Sequence, residues 1–190
     1  MSIGDVNSDA RGSGARYNDG KPPVDLIPLS TIAASFNGVF GERTHTLLRD
    51  AVQRSLDMLG GFQETGDATY LACAIDEVRF AWRDCARVFG YGKKKYAPWN
   101  WAKGMSWSIP LGCAGRHALC IFEGQLVDDE SRLPHIGHYL ANLVMLDHYV
   151  DNYPEGNDLP DPKLFEGSNA ELQDHPIIML DDVLAGKPIC

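Results

Sequence analysis

Three polar side chains with a helical spacing are the sharpest candidates for chemistry in this sequence. His135, His138 and Asn142 stand at positions i, i+3 and i+7, which places them along one face of an α-helix. Neutral imidazoles and an amide oxygen on such a face can bind a divalent metal ion or a phosphate ester. The alternative is that the histidines only hydrogen-bond to neighbouring helices, and the sequence leaves both interpretations open.

A second group lies just before that helix. Arg116 and His117 are separated from His135 by a short turn, so a helical hairpin brings them against the same face. Glu123 and the acidic run 128–130 add carboxylates nearby. Such a mixed set suits Mg²⁺ or Mn²⁺ if carboxylates dominate and a Zn²⁺-like ion if imidazoles do, unless the acidic run only complements the N-terminus of the next helix.

A third group combines ammonium groups with flat aromatic rings. It consists of Lys93, Lys94, Lys95, Tyr96, Trp99, Asn100 and Trp101. Lysines attract phosphate, aromatic rings stack on a base, and an amide can hydrogen-bond to the edge of that base, so the combination indicates a nucleotide. The alternative is solvated lysines beside tryptophans that fill the core.

Two carboxylates on one predicted helix, Glu77 and Asp84, are seven residues apart and share a face. They can hold Mg²⁺ between them, or they can pair with Arg79, Arg83 or Arg87. The sequence has no P-loop, dinucleotide-binding, serine-hydrolase or zincin signature, so those enzyme classes are not supported.

Composition bounds the class of protein. The chain has 190 residues, is 44% hydrophobic and carries a formal net charge of −9, which fits one globular domain and argues against binding to duplex nucleic acid. No stretch is long and apolar enough for a membrane span, and the opening residues do not form a secretion signal, so we expect a cytoplasmic protein. The five cysteines contain no CxxC pair and are interpreted as free thiols.

The apolar periodicity predicts a compact all-α domain of about five helices. They are expected over residues 30–40, 42–59, 67–89, 110–124 and 134–152, with an ordered aromatic loop over 90–108. Ser30 is the predicted N-cap of the first helix, and Gly60–Gly61 are predicted to stop the second.

Residues 1–15 are predicted to be disordered, residues 16–152 to form the domain, and residues 153–190 to form an extended tail. The tail contains an apolar patch at 177–180, which predicts a homo-oligomer that buries it.

Several of these motifs together resemble a phage-encoded family, the N-terminal domain of dATP/dGTP diphosphohydrolases. The similarity is carried by RYNDGKP at 16–22, DLIP at 25–28, ARVFGYG at 86–92, Lys95, Tyr96, Asn100, Trp101, Arg116, His117, Glu130, Ser131, His135, His138 and Asn142. Relative to the family, the chain has an insertion over 29–83 and an aspartate, Asp84, where glutamate is common. It also lacks the paired ExxE and ExxD helices of all-α pyrophosphohydrolases.

The resemblance implies an enzyme that converts a purine deoxynucleoside triphosphate to its monophosphate and pyrophosphate, with a divalent ion such as Mg²⁺ or Mn²⁺, in a phage that remodels the host nucleotide pool. The expected catalytic residues are His117, His135 and His138. The expected substrate-binding residues are Lys93, Lys95, Tyr96, Asn100, Trp101, Arg116 and Asn142. The expected metal ligands are Asp84, Glu130, His135 and His138. A non-catalytic phage protein that sequesters a nucleotide or a host defence signal is the alternative, and a structural protein with packing histidines is a third.

Overall fold

The computed structural model describes residues 2–3, 8, 10–17, 21–36 and 46–165. They belong to two units, Met1–Pro160 and Asp161–Cys190, and the described part of the second is a 3-10 turn at Pro162–Phe165. The described part of the first unit contains six α-helices, so the all-α prediction is confirmed. They are α1 (Leu29–Ser35), α2 (Thr46–Thr65), α3 (Ala68–Glu77), α4 (Trp82–Lys95), α5 (Ser108–Phe122) and α6 (His135–Asn152). A short antiparallel pair, β1 (Ser2–Ile3) and β2 (Arg16–Tyr17), accompanies them. None of the described helices is long and apolar enough to span a membrane.

Helix α2 carries the apolar stripe that its sequence predicts, with Val52, Leu56 and Leu59 buried. The predicted stop at Gly60–Gly61 is wrong, since the helix continues to Thr65. A Cβ at Gly60 would lie 2.3 Å from the backbone nitrogen of Ser30. Gly60 therefore allows α1 to pack closely on α2, and Gly61 leaves room for the ring of Tyr70 in α3, so neither glycine ends the helix.

The N-terminus of α1 is capped by a side chain of α2. The predicted N-cap, Ser30, lies inside the helix and donates its hydroxyl to Glu64 Oε1 at 2.5 Å. Gln63 of α2 accepts the Leu29 N–H at 2.9 Å. The side-chain amide of Gln63 thus accepts a hydrogen bond from the first turn of α1. A contact between residues so far apart in the chain could not be predicted from the local sequence. The predicted end of this helix near residue 40 lies outside the described residues.

The single helix predicted over 67–89 is interrupted. Helix α3 ends at Glu77, a 3-10 turn occupies Arg79–Ala81, and α4 begins at Trp82. The interruption lets α3 pack mainly on α2 while α4 packs on α6. The interruption also rotates the apolar positions of α4 relative to those of α3. Trp82 is therefore 49% exposed, although the periodicity of residues 67–89 predicts that it is buried.

The predicted loop over 90–108 is shorter than expected. Helix α4 runs on to Lys95, so Lys93, Lys94 and Lys95 form its last turn, where cations interact favourably with the helix dipole. The remaining segment contains a 3-10 turn at Asn100–Lys103. Tyr149 of α6 donates its hydroxyl to Trp101 O at 2.6 Å and fixes this segment to the core.

Residues 10–17, which we call the strap, lie along this segment. Gly12 and Gly14 donate their N–H groups to Lys103 O and Gly104 O at 2.6 and 2.8 Å. The composition of residues 1–15 predicts disorder, but residues 10–15 are held by these bonds. At the other end of the chain, Trp107 Nε1 donates to Tyr153 O at 3.0 Å, and the first unit extends to Pro160 rather than ending at 152. The predicted apolar patch at 177–180 lies outside the described residues.

Helices α4 and α6 approach most closely at Gly137. A Cβ at this position would lie 2.7 Å from the backbone carbonyl carbon of Asp84. Side chains larger than hydrogen do not fit there without moving a helix. Gly137 therefore sets the spacing of the two helices that carry most of the candidate site.

We expect Gly137→Ala to lower the free energy of unfolding by about 1–3 kcal/mol, because the added methyl group meets backbone. Gly90→Ala on α4 is the control, since a Cβ there meets nothing within 4 Å. That substitution should raise stability by about 0.5–1 kcal/mol through helix propensity. Chemical denaturation of both variants measures the difference, and equal effects would contradict the close helix crossing.

Candidate functional site

A cavity of about 890 Å³ opens between α4, α5 and α6, and the strap and residues 96–101 complete its wall. Its volume lies within the range of small-molecule sites. Eleven of the twelve residues predicted for the site line it. They are Lys93, Lys95, Tyr96, Asn100, Trp101, Arg116, His117, Glu130, His135, His138 and Asn142. The exception is Asp84.

Three histidines form one cluster at the polar end of the cavity. The Nδ1 atoms of His117 and His135 are 2.8 Å apart, so one ring donates and the other accepts. The ring of His117 also stacks on His138, with centroids 4.7 Å apart. The predicted hairpin of α5 and α6 therefore brings His117 against the α6 face. The bond between His117 and His135 also fits the alternative, in which the histidines only hydrogen-bond to neighbouring helices, so the geometry is compatible with both interpretations.

Burial decides the charge of these rings. It lowers the pKa of His138 to about 4 and the pKa of His117 well below its ordinary value, with the neighbouring imidazoles acting in the same direction on His117. Burial also lowers the pKa of His135, although Asp128 opposes it. All three rings are therefore neutral at pH 7.

Hydrogen bonds orient the α6 face. His138 Nε2 is 2.7 Å from Ser131 Oγ, and Asn142 donates its amide to His138 O at 2.7 Å. Ser131 is held in turn by its N–H, which donates to Asp128 Oδ2 at 2.8 Å. The acidic turn thus positions His138 through Ser131. Asp128 Oδ2 itself is 3.9 Å from His138 Nε2.

Aromatic side chains form the opposite end of the cavity. Trp101 packs against Phe89 with centroids 5.1 Å apart and against the edge of His148 at 5.2 Å. Trp99 is 73% exposed and has a left-handed backbone with φ of 60°. Together with Tyr96, these rings give the cavity a flat apolar wall. The neighbouring Asn100 is 3% exposed, donates to Ala15 O at 3.2 Å, and has a carbonyl oxygen without a partner in the described residues.

The cavity is cationic in an acidic chain. Five lysines and arginines line it against two carboxylates, Asp128 and Glu130. Glu130 accepts from Lys95 and from the hydroxyl of Tyr91, the latter at 3.1 Å. Their contact raises the pKa of Lys95 and lowers that of Glu130, so both stay charged.

The four predicted metal ligands do not form a ligand set. Asp84 lies outside the cavity wall and accepts from Arg87 at 2.9 Å. Glu130 is bound to Lys95. Among the described residues, no three His, Cys, Asp or Glu side chains converge as ligands. The resemblance implied this set, but ion pairs with nearby cations compete for its carboxylates.

Several polar residues of the cavity were not predicted for the site, among them Arg16 and Cys113. Arg16 of β2 donates to Asn142 Oδ1 at 2.7 Å. Cys113 of α5 accepts from Arg116 at 3.0 Å, and although burial raises the pKa of its thiol, the two guanidiniums outweigh burial and lower it. The RYNDGKP motif at 16–22 includes Arg16 among the residues that carry the resemblance, but no local sequence feature predicts that Arg16 lies beside α6.

We expect acidification to destabilise the protein through His138. An unfolded histidine binds a proton below about pH 6.5, whereas the buried ring stays neutral down to about pH 4, so stability falls as pH drops through this window. Lowering the pH from 7.5 to 4.5 should reduce the free energy of unfolding by about 2 kcal/mol through this residue. Denaturation of wild type and His138→Gln in EDTA measures it, because glutamine keeps a polar group near Ser131 without titrating. Identical pH profiles would contradict the neutral, buried ring.

Comparison with known proteins agrees with the resemblance seen in the sequence. No curated protein and no solved structure matches the chain. Residues 71–159 match the family described as "dATP/dGTP diphosphohydrolase, N-terminal". The match includes every predicted site residue, and it also includes residues 71–83, which the resemblance had assigned to an insertion. The match supports the family predicted from the motifs: the segment 71–159, which supplies most of α3 and all of α4 to α6, is similar to the N-terminal domain of dATP/dGTP diphosphohydrolases.

Proposed function

We propose that the cavity binds a purine deoxynucleoside triphosphate and that the protein hydrolyses it to the monophosphate and pyrophosphate, in the remodelling of a nucleotide pool by a phage. One observation carries the proposal. A single cavity is lined by aromatic rings, by five lysines and arginines, and by three imidazoles that burial keeps neutral. The family match of residues 71–159 supports the nucleotide class.

The polar end has the chemistry that a polyphosphate requires. Arg116 is fixed by its bonds to Pro22 O at 2.8 Å and to Cys113. Lys93 and Lys95 lie at the end of α4 on the same cavity wall. Guanidinium and ammonium groups form charge-assisted hydrogen bonds with phosphate oxygens, and these are stronger than neutral ones.

The aromatic end suits a base. Trp101, Tyr96 and Phe89 line the cavity next to the amide of Asn100. A purine has a large π-face for stacking on such rings, and its ring and exocyclic nitrogens offer hydrogen bonds to an amide. We assign the base to this wall and the phosphates to the histidine end.

Neutral imidazoles can accept the proton of an attacking water. In this proposal the water oxygen forms a bond to the α-phosphorus, the bond to the pyrophosphate oxygen breaks, and the proton of the water passes to His138 or His117. A bound polyanion raises the pKa of a nearby imidazole, which makes it a better base than in the free protein. His135 orients His117 through their Nδ1 contact.

Mg²⁺ or Mn²⁺ would arrive with the triphosphate as part of the substrate. In that form the ion neutralises phosphate charge without a dedicated ligand set from the chain. This assignment agrees with the positions of Asp84 and Glu130, whose carboxylates are paired with Arg87 and Lys95.

The same pairing favours a second candidate function. A protein that binds and sequesters a nucleotide, without hydrolysing it, needs the cations and rings but no convergent carboxylates. Both carboxylates proposed for a metal are occupied by cations of the chain.

Incubation with each of the four dNTPs and Mg²⁺ or Mn²⁺, followed by chromatography, separates the candidates. We expect dATP or dGTP to give monophosphate and pyrophosphate in equal amounts. Recovery of an intact nucleotide bound to the protein would replace hydrolysis by sequestration. If no nucleotide is either bound or cleaved, both functions are wrong.

We expect His138→Ala to lower kcat by about 100-fold or more, because a general base is lost. The change removes a ring from the cavity wall, and thermal unfolding should show that the variant still folds. Asp151→Ala is the control, since Asp151 lies on the same helix, is exposed and does not line the cavity. Equal turnover of wild type and His138→Ala would remove His138 from the chemistry.

A further inference from the structure

Arg16 has a positive charge that the protein does not neutralise. Its guanidinium contacts Asn142 Oδ1 and, at 3.7 Å, the sulfur of Met145. Cys113, Tyr96 and Tyr149 are the ionisable groups around it. No described carboxylate forms an ion pair with it, whereas Arg11 on the same strap pairs with Glu155.

This charge is partly buried and lines the cavity. Moving a cation out of water is costly unless an anion or several hydrogen bonds compensate for the lost hydration. The amide oxygen of Asn142, the thioether of Met145 and the thiol of Cys113 compensate part of this loss, but no described carboxylate pairs with the guanidinium. The site of Arg16 therefore favours an anionic ligand.

The position of Arg16 depends on the strap. The glycine N–H bonds to Lys103 O and Gly104 O fix the strap along the 3-10 turn. Gly14 is required there, since a Cβ would lie 2.5 Å from Gly104 O. Ala15 is buried and accepts from the amide of Asn100. The strap thus binds Asn100 of the aromatic segment through Ala15, and it carries the cation Arg16.

We infer that Arg16 is a phosphate-binding residue and that polyphosphate binding is coupled to docking of the strap. The inference rests on the proposed function for the identity of the ligand class. An anion that binds only when Arg16 is in place favours the docked strap by mass action. The binding site then extends beyond residues 71–159, because the strap lies outside that segment.

The experiment compares three full-length variants with the wild type: Arg16→Met, Arg16→Lys and the control Arg11→Gln. Calorimetry in EDTA measures the binding of inorganic tripolyphosphate, which has no base. We expect Arg16→Met to weaken binding about 10- to 100-fold, as the loss of charged hydrogen bonds predicts. Arg16→Lys should retain part of the affinity. Arg11→Gln should bind within about two-fold of wild type, since its ion pair is exposed.

Two further readouts separate binding from folding. Arg16→Met should still unfold cooperatively with a Tm close to that of wild type, because removal of a partly buried charge offsets the loss of the hydrogen bond to Asn142 Oδ1. Tripolyphosphate should slow hydrogen exchange at the Gly12 and Gly14 amides of wild type and of Arg11→Gln, but not of Arg16→Met. If Arg16→Met fails to fold, Arg16→Lys provides the test. Loss of the tripolyphosphate-dependent protection of the Gly12 and Gly14 amides in Arg16→Lys supports the inference, whereas full protection together with wild-type affinity in that variant contradicts it.

Undiminished tripolyphosphate affinity in Arg16→Met overturns the inference, as does a wild type that does not bind tripolyphosphate. A wild type that binds tripolyphosphate through Arg16 but neither binds nor cleaves a dNTP supports the inference and contradicts the proposed function.

Discussion

The burial of α6 is the constraint on which the rest of the site depends. This helix packs against α3, α4 and α5, and it carries His135 and Asn142 with only 3% and 1% of their surfaces exposed. Polar groups at such depth need partners, because water cannot supply them. The protein provides these from other elements. His117 comes from α5, and Arg16 comes from the strap. The cavity is the space that these polar partners and the aromatic segment leave open between them.

The same burial determines the chemistry of the histidines. A charged imidazole in this position would lose hydration that the nearby carboxylate does not replace, since Asp128 Oδ2 is 3.9 Å from His138 Nε2. Desolvation and the neighbouring cations exceed the attraction of that carboxylate, and the rings stay neutral. An anionic ligand changes this balance. The free protein therefore combines an arginine with which no described carboxylate forms an ion pair and imidazoles whose pKa an anionic ligand would raise.

Much of this arrangement could be predicted from the sequence, and the reasons are local. The 3.6-residue periodicity identified α2, α5 and α6, and the i, i+3, i+7 spacing placed His135, His138 and Asn142 on one face. A short connection made the α5–α6 hairpin predictable, and with it the contact between His117 and His135.

The features that were not predictable depend on distant residues. Helix α2 continues through Gly60 and Gly61 because α1 approaches the first glycine and Tyr70 of α3 the second, and no glycine or proline marks the end of α3 at Glu77. The resemblance implied that Asp84 and Glu130 bind a metal, but both carboxylates are bound to cations. Arg16 precedes its partner Asn142 by 126 residues, so only tertiary structure shows that they meet.

The central claim is that one cavity accommodates both parts of a nucleotide, with the base against Trp101 and the phosphates among the histidines and arginines. A crystal structure with an α,β-imido analogue of dATP, which resists cleavage at the bond in question, tests it directly. The account predicts adenine in van der Waals contact with the Trp101 wall and phosphate oxygens within hydrogen-bonding distance of Arg116. Density for the analogue outside this cavity, or with its phosphates at the aromatic end, would contradict it.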